Sequence, residues 1–329
     1  MEDYSYSYDE ETEQPVSHLR HTFLPAFYSI ICIFGLSGNL LTIIIYIFYE
    51  KKKSLTDMFL MNLAMADMLF LCTLPFLAYQ AARSWIFGIA MCKIIRGMYR
   101  INVYASMLTL TCITFDRLVS ITCATKANKY QLNKHKWGPG ICTTMWIISV
   151  LIAIPQFICK VDEEHCFELY DSYYMEVMMN SLQLSIGFFL PLVVMFFCYT
   201  LIVKTLINVS RFQKHKSLKI IIMVVLAFVI TQIPYNVLLI ALVSNKNYLH
   251  DKHFKMALIV TESIAYLHAC LNPILYFFVG IKFRKNFWKI LKDLRLAKPH
   301  IEGTENIRTT DGYSKNISNS NTEAVSIQL

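Results

Sequence analysis

The chain has 329 residues, of which 55% are hydrophobic and only 16% charged, where a soluble domain carries about 25% charge. Apolar segments recur along nearly the whole length, which excludes an ordinary soluble globular protein. The net charge of +8 forms no basic patch for nucleic acid. It is divided among alternate connections between apolar segments, and no nucleic-acid partner is expected.

Residues 1–22 form an acidic arm, with Glu2, Asp3, Asp9, Glu10, Glu11 and Glu13. Its composition cannot build a packed core, and Tyr4, Tyr6 and Tyr8 alternate with serine in it. No basic-then-apolar leader opens the sequence, so the first apolar segment is expected to act as the insertion signal. Seven apolar stretches follow, at about 23–49, 57–82, 89–122, 138–159, 174–206, 214–243 and 254–278. A hydrocarbon core about 30 Å thick needs about 20 apolar helical residues. The expectation is an all-α membrane protein, a seven-transmembrane helix bundle over 23–278. A short amphipathic helix at 279–294 follows, carrying Phe283, Phe287, Ile290, Leu291 and Leu294 between basic residues, and suits the bilayer surface. Residues 295–329 read as a polar cytoplasmic tail.

Lys51, Lys52 and Lys53 follow the first span, and Lys126, Lys129, Lys134 and Lys136 the third. Arg211, Lys214, Lys216 and Lys219 lie between the fifth and sixth, and Lys282, Arg284, Lys285 and Lys289 after the seventh. Excess Lys and Arg mark cytosolic loops. The N-terminus is therefore expected outside the cell and the C-terminus inside, as in a multi-pass plasma-membrane protein. The loop with Asp162, Glu163, Glu164 and Glu168 falls outside.

Polar groups inside a spanning helix are costly unless they face the bundle interior. Asp67 lies near mid-membrane, and Asn39, Asn102, Ser106 and Asn272 reach comparable depth. One carboxylate among oxygen-bearing side chains suits a small hard cation, for which sodium is the candidate, or else a hydrated polar network. Glu262, nearer the outer end of span seven, is either an anchor for a basic ligand group or the partner of Arg96 or Arg100. Asp116–Arg117 closes span three at the cytosolic face. Pro75, Pro155, Pro191, Pro234 and Pro273 each remove a helical hydrogen bond and permit a kink. Cys92 and Cys166 on the outer side can bridge, with Cys159–Cys166 as a shorter alternative. No nucleophile–base pair or metal-ligand cluster suggests an enzyme.

These residues fall in an order with a known likeness. Gly38-Asn39, Asn62-Leu63-Ala64-Met65-Ala66-Asp67, Asp116-Arg117, Trp146, Pro191 with Tyr199, Pro234, and Asn272-Pro273-Ile274-Leu275-Tyr276 stand one group per helix. Together they resemble the rhodopsin-like G-protein-coupled receptors. Thr73-Leu74-Pro75, Trp85-Ile86-Phe87-Gly88 before Cys92, Glu262, and His268-Ala269-Cys270-Leu271-Asn272-Pro273 resemble the chemokine receptor family. Within it, the basic entry Phe212 to Lys219, Thr231-Gln232-Ile233-Pro234 and the run Phe283 to Lys289 most resemble the CXC type-six pattern.

The resemblance implies a receptor for small basic chemokines, a membrane-tethered one included, with Tyr4, Tyr6 and Tyr8 on the docking arm. It implies a pocket lined by Tyr99, Tyr235 and Glu262, and a Cys92–Cys166 bridge. Asp67, Asn102, Ser106 and Asn272 become an allosteric sodium site, with no other cofactor. Asp116, Arg117, Tyr199, Gln232, Pro234, Pro273 and Tyr276 become the coupling switch, facing an inhibitory-class heterotrimeric G protein and arrestin. Lys214 stands where some receptors hold an acidic partner for Arg117. Leu77, Leu118 and Gln232 depart from the common pattern. Leu118 and Gln232 support a second reading, a scavenging receptor with little G-protein signalling.

Overall fold

The structure is a computed structural model that describes residues 19–50, 54–122, 127–162, 166–170, 172–208, 215–245, 247–248 and 251–296. Tyr4, Tyr6, Tyr8, Lys214 and the tail beyond residue 296 lie outside the described residues. Among the described residues, six helices are long and apolar enough to cross a membrane: His21–Tyr49, Leu55–Ala82, Trp137–Ile158, Tyr173–Thr205, Ile221–Ser244 and Lys252–Val279. A longer helix, Gly88–Thr122, completes the bundle as span three. It carries Arg96, Arg100, Asn102, Asp116 and Arg117, so it is less apolar than the others. The reason is position. Every residue from Tyr99 to Met107 is buried, as in a helix surrounded on all sides.

Local chemistry sets the ends and bends. Ser54 and Asp57 form a reciprocal cap at the start of span two, with Asp57 N–H donating to Ser54 Oγ at 3.1 Å and Ser54 N–H to Asp57 Oδ2 at 2.8 Å. Span two breaks between its helices Leu55–Leu71 and Leu74–Ala82. Pro75 has no N–H to offer the Leu71 carbonyl, and the Cys32 thiol approaches that oxygen at 3.5 Å instead. Span seven repeats the device. Its helices Lys252–Tyr266 and His268–Val279 meet at Leu267. Pro273 leaves the Ala269 carbonyl without its helical donor, and Asn39 Nδ2 of span one donates to it at 2.8 Å. Gly38 makes this approach possible, since a Cβ there would lie 2.8 Å from the Pro273 ring.

The connection between spans four and five forms a small antiparallel hairpin of β1, Lys160–Val161, and β2, Glu168–Leu169. Cys166 is tied to Cys92 at the start of span three, with Cα atoms 5.5 Å apart. That settles the pairing the sequence left open. Cys159 is not bridged, and its thiol donates to Leu169 O at 3.4 Å. Below the hairpin, Phe70, Leu77, Trp85, Tyr99 and Tyr266 belong to one apolar cluster. Leu77, where the family pattern expects an indole, is buried in it.

After Gly280 the chain turns into the helix Ile281–Leu296. Phe283 is buried against Tyr276, with ring centroids 6.1 Å apart, and Phe287 packs edge-on to Phe277 at 5.2 Å. Asn286 Nδ2 donates to Glu50 Oε2 at 3.3 Å.

Candidate functional site

Three polar layers interrupt the apolar bundle. At the disulfide end, Arg96 Nη1 meets Glu262 Oε1 at 3.3 Å. Its Nε and Nη2 donate to the Cys166 carbonyl at 3.2 and 3.0 Å. One turn along span three, Arg100 pairs with Glu168 of β2 at 3.5 Å, and Tyr170 Oη donates to the same carboxylate. Burial works to raise the Glu168 carboxyl, but Arg100 and then Arg96 outweigh it and hold the group below its ordinary range. Of the expected pocket residues, Tyr99, Tyr235 and Glu262 share one electrostatic neighbourhood with the two arginines. The Tyr99 ring packs on Phe70 and Tyr266, and its hydroxyl is buried with no hydrogen-bond partner. The Glu262–Arg96 pair is the alternative that the sequence left beside a free ligand anchor.

In the middle layer, Asp67 is fully buried. Asn102 Nδ2 donates to its Oδ1 at 3.1 Å and Asn272 Nδ2 to its Oδ2 at 2.7 Å. Ser106 Oγ and Asn39 Oδ1 are buried without partners. His268 extends the network: its Nε2 lies 3.0 Å from Asn102 Oδ1, and its Nδ1 lies 2.6 Å from the Ala265 carbonyl and 3.3 Å from Gln232 Nε2. Gln232 of span six is thereby linked to span seven and, through Asn102, to the carboxylate of span two. Pro234 lies two residues beyond it in the same helix.

At the opposite end, Thr56 of span two accepts from Arg117 Nη2 and donates to Asp116 Oδ2 at 3.1 Å. Arg117 and Asp116 lie 3.8 Å apart. Thr114 Oγ1 donates to Tyr199 Oη at 3.4 Å. Tyr276 is buried with its hydroxyl unpartnered. It and Arg117 line a cavity of about 360 Å3 with Tyr46, Thr56, Ile221 and Phe283.

Residues 38–276 match the family model of the 7 transmembrane receptor (rhodopsin family). The chain belongs to that family. It is 39% identical to C-C chemokine receptor type 6 of Homo sapiens over 337 residues, covering 97% of this chain and 90% of that receptor. It is 37% identical to C-C chemokine receptor type 7 of Homo sapiens, covering 86% of this chain and 78% of that receptor. With C-C chemokine receptor type 6 of Mus musculus it shares 38% identity over 85% of this chain and 81% of that receptor. The protein is therefore a multi-pass chemokine receptor of the rhodopsin family, not an enzyme.

The finer expectation of a CXC type-six likeness is not supported, because these relatives are C-C receptors. The motifs that suggested it were mostly short basic runs at the membrane boundary. Lysine snorkelling and amphipathic spacing shape such runs in many receptors, so they discriminate poorly against similarity along the whole chain. Two residues of this receptor's network are not singled out by the sequence. His268 stands there only as part of a motif, although it joins the middle layer to span six. Thr56 carries no mark at all, although it holds both Asp116 and Arg117. The presence of histidine deep in a span was the one available signal for the first. A threonine that can satisfy itself on its own helix gives none.

Proposed function

We propose that this receptor binds a small basic chemokine at its disulfide end, outside the cell, and activates inhibitory-class G proteins and arrestin at its Arg117 end, inside. Identity of 39% to a C-C chemokine receptor across 97% of the chain carries this reading. The physical arrangement supports it. The acidic arm, with Tyr4, Tyr6 and Tyr8, attracts a basic partner and raises its on-rate; sulfation of those tyrosines adds to the charge. The disulfide end of the bundle offers Glu262 to an entering amine, in competition with Arg96. Displacing that pair changes the contacts of span seven with span three. The middle layer links that change to Gln232 in span six. Outward motion of span six, whose Ile221 lines the same cavity as Arg117 and Tyr276, then widens that cavity, and Arg117 leaves Thr56 to meet a G-protein helix docking there. The excess of Lys and Arg on alternate connections sets this sidedness.

The same reading includes an allosteric sodium ion at Asp67. The donor set fits it: one carboxylate, the unpartnered Ser106 hydroxyl, and two amides at Asn102 and Asn272 whose oxygens can turn toward a cation. When bound, sodium would supply the positive charge that a buried carboxylate lacks and would hold spans two, three and seven together. The test of the overall reading is binding of labelled chemokines from a C-C panel to cells expressing the receptor, with arrestin recruitment measured in parallel. Saturable binding with recruitment is expected from at least one chemokine. Silence across the panel would overturn the reading.

A further inference from the structure

The disulfide-end polar layer holds four charges in balance, and three of them sit on spanning helices. Arg96 and Arg100 lie one turn apart on span three, so their guanidiniums are neighbours, and Glu262 is on span seven. The fourth, Glu168, is on β2 of the loop. The two arginines are held differently. Arg96 is fixed twice, by Glu262 at 3.3 Å and by the Cys166 carbonyl at 3.0 and 3.2 Å. The Cys92–Cys166 bridge ties that carbonyl to the same helix. Arg100 pairs at 3.5 Å with a carboxylate that the loop delivers from outside the bundle. Both side chains of that pair are largely buried, with 10% and 16% of their surface exposed.

Buried ion pairs restrict what can enter. Removing one partner leaves an uncompensated buried charge, which is strongly unfavourable. A ligand segment bearing only an amine takes Glu262 and leaves the Arg96 charge without its carboxylate. A segment bearing an amine and a carboxylate close together takes Glu262 with the first and supplies the arginines with the second. When the ligand's carboxylate takes Arg100, Glu168, which also feels the charge of Arg96, is left to balance Arg96, and the layer stays neutral.

We infer that Arg100 is the anchor for a carboxylate on the ligand's entering segment, that Glu168 holds this place before the ligand arrives, and that the receptor selects chemokines with an acidic side chain near the terminal amine. The inference rests on the chemokine-receptor reading above and assigns the ligand chemistry of the same pocket.

The probes are the chemokine agonists of the type 6 and type 7 C-C receptors. Each acidic residue ahead of their first cysteine is changed singly to its amide. Potency is measured on the full-length receptor and on the charge-balanced double variant Arg100→Gln with Glu168→Gln, with surface expression matched. On the unmodified receptor one such change is expected to lower potency by roughly tenfold or more, as for a close charge pair. On the double variant the same change is expected to have no effect. Undiminished potency of every amide variant on the unmodified receptor would overturn the inference, and so would an equal loss on both receptors. The agonists are run on their own receptors as controls. If they act there but none binds here, this inference fails; if the rest of the C-C panel is silent as well, the chemokine reading fails with it.

Discussion

Arg117 in this receptor is held by a hydroxyl and not by an acid from span six. Thr56 touches both Asp116 and Arg117, which themselves lie 3.8 Å apart. Thr56→Val keeps the shape and removes the hydroxyl. A lost hydrogen bond to a charged group is worth about 1.5–3 kcal/mol, so basal nucleotide exchange is expected to rise about tenfold, and Thr56→Ser to leave it unchanged. Equal basal rates in the valine variant and the parent would remove Thr56 from the switch. Asp67 carries the second residue-scale prediction. Sodium is expected to lower agonist affinity in the parent receptor and to have no effect in Asp67→Asn. Persistent sodium sensitivity in the variant would place the ion elsewhere. At this scale the sequence was legible where a residue was costly. Asp67, Glu262 and Arg117 stood out because charge inside a span demands a reason. Their partners did not, because partnership across helices is set by packing that no local spacing encodes. Glu262 shows the limit: either Arg96 or Arg100 was an equal candidate from sequence, and only the hairpin carbonyl and Glu168 separate their roles.

At the scale of elements, the prolines explain more than kinks. Pro75 and Pro273 each release a carbonyl one turn back, and a side chain of span one serves both, through Cys32 and Asn39. Span one is thus hydrogen-bonded to the broken helices of spans two and seven. Asn39→Ala should leave the Ala269 carbonyl buried without a donor, at a cost of about 1–3 kcal/mol. The expected outcome is a lower thermal midpoint for the purified receptor in detergent, while Asn39→Gln retains part of the loss as strain. An unchanged midpoint in Asn39→Ala would show that the carbonyl finds another donor. The prolines themselves were plain in the sequence, and so were the limits of span three, expected over 89–122 and observed over Gly88–Thr122; the fourth helix was expected from 138 and starts eleven residues earlier, at Ala127. The interruptions at Thr73 and Leu267 were not. They depend on which neighbouring side chain satisfies the freed carbonyl. Span three also has a composition that understates its role, because burial of its whole middle, Tyr99 to Met107, lets it carry charge that a lipid-facing helix excludes.

For the molecule as a whole, the three polar layers form a path between two ends. Glu262 and Arg96 join spans seven and three at the disulfide end, His268 joins Gln232 to Asn102 and Asp67 in the middle, and Thr56 holds Arg117 at the far end. A ligand that binds the two arrangements of span six with different affinity shifts the population between them. The family was readable from sequence because its markers are scattered one per helix, and scattered agreement is hard to produce by chance. The branch was misread because it rested on three short segments, two of them at the membrane boundary and one, Thr231 to Pro234, inside span six. The most direct test of the account is nucleotide exchange on a purified inhibitory-class G protein by the full-length receptor in lipid nanodiscs, with and without the chemokine that binds it. The account predicts that chemokine accelerates exchange and that Glu262→Gln weakens the acceleration more than it weakens binding. Chemokine binding and arrestin recruitment with no acceleration of exchange would contradict it.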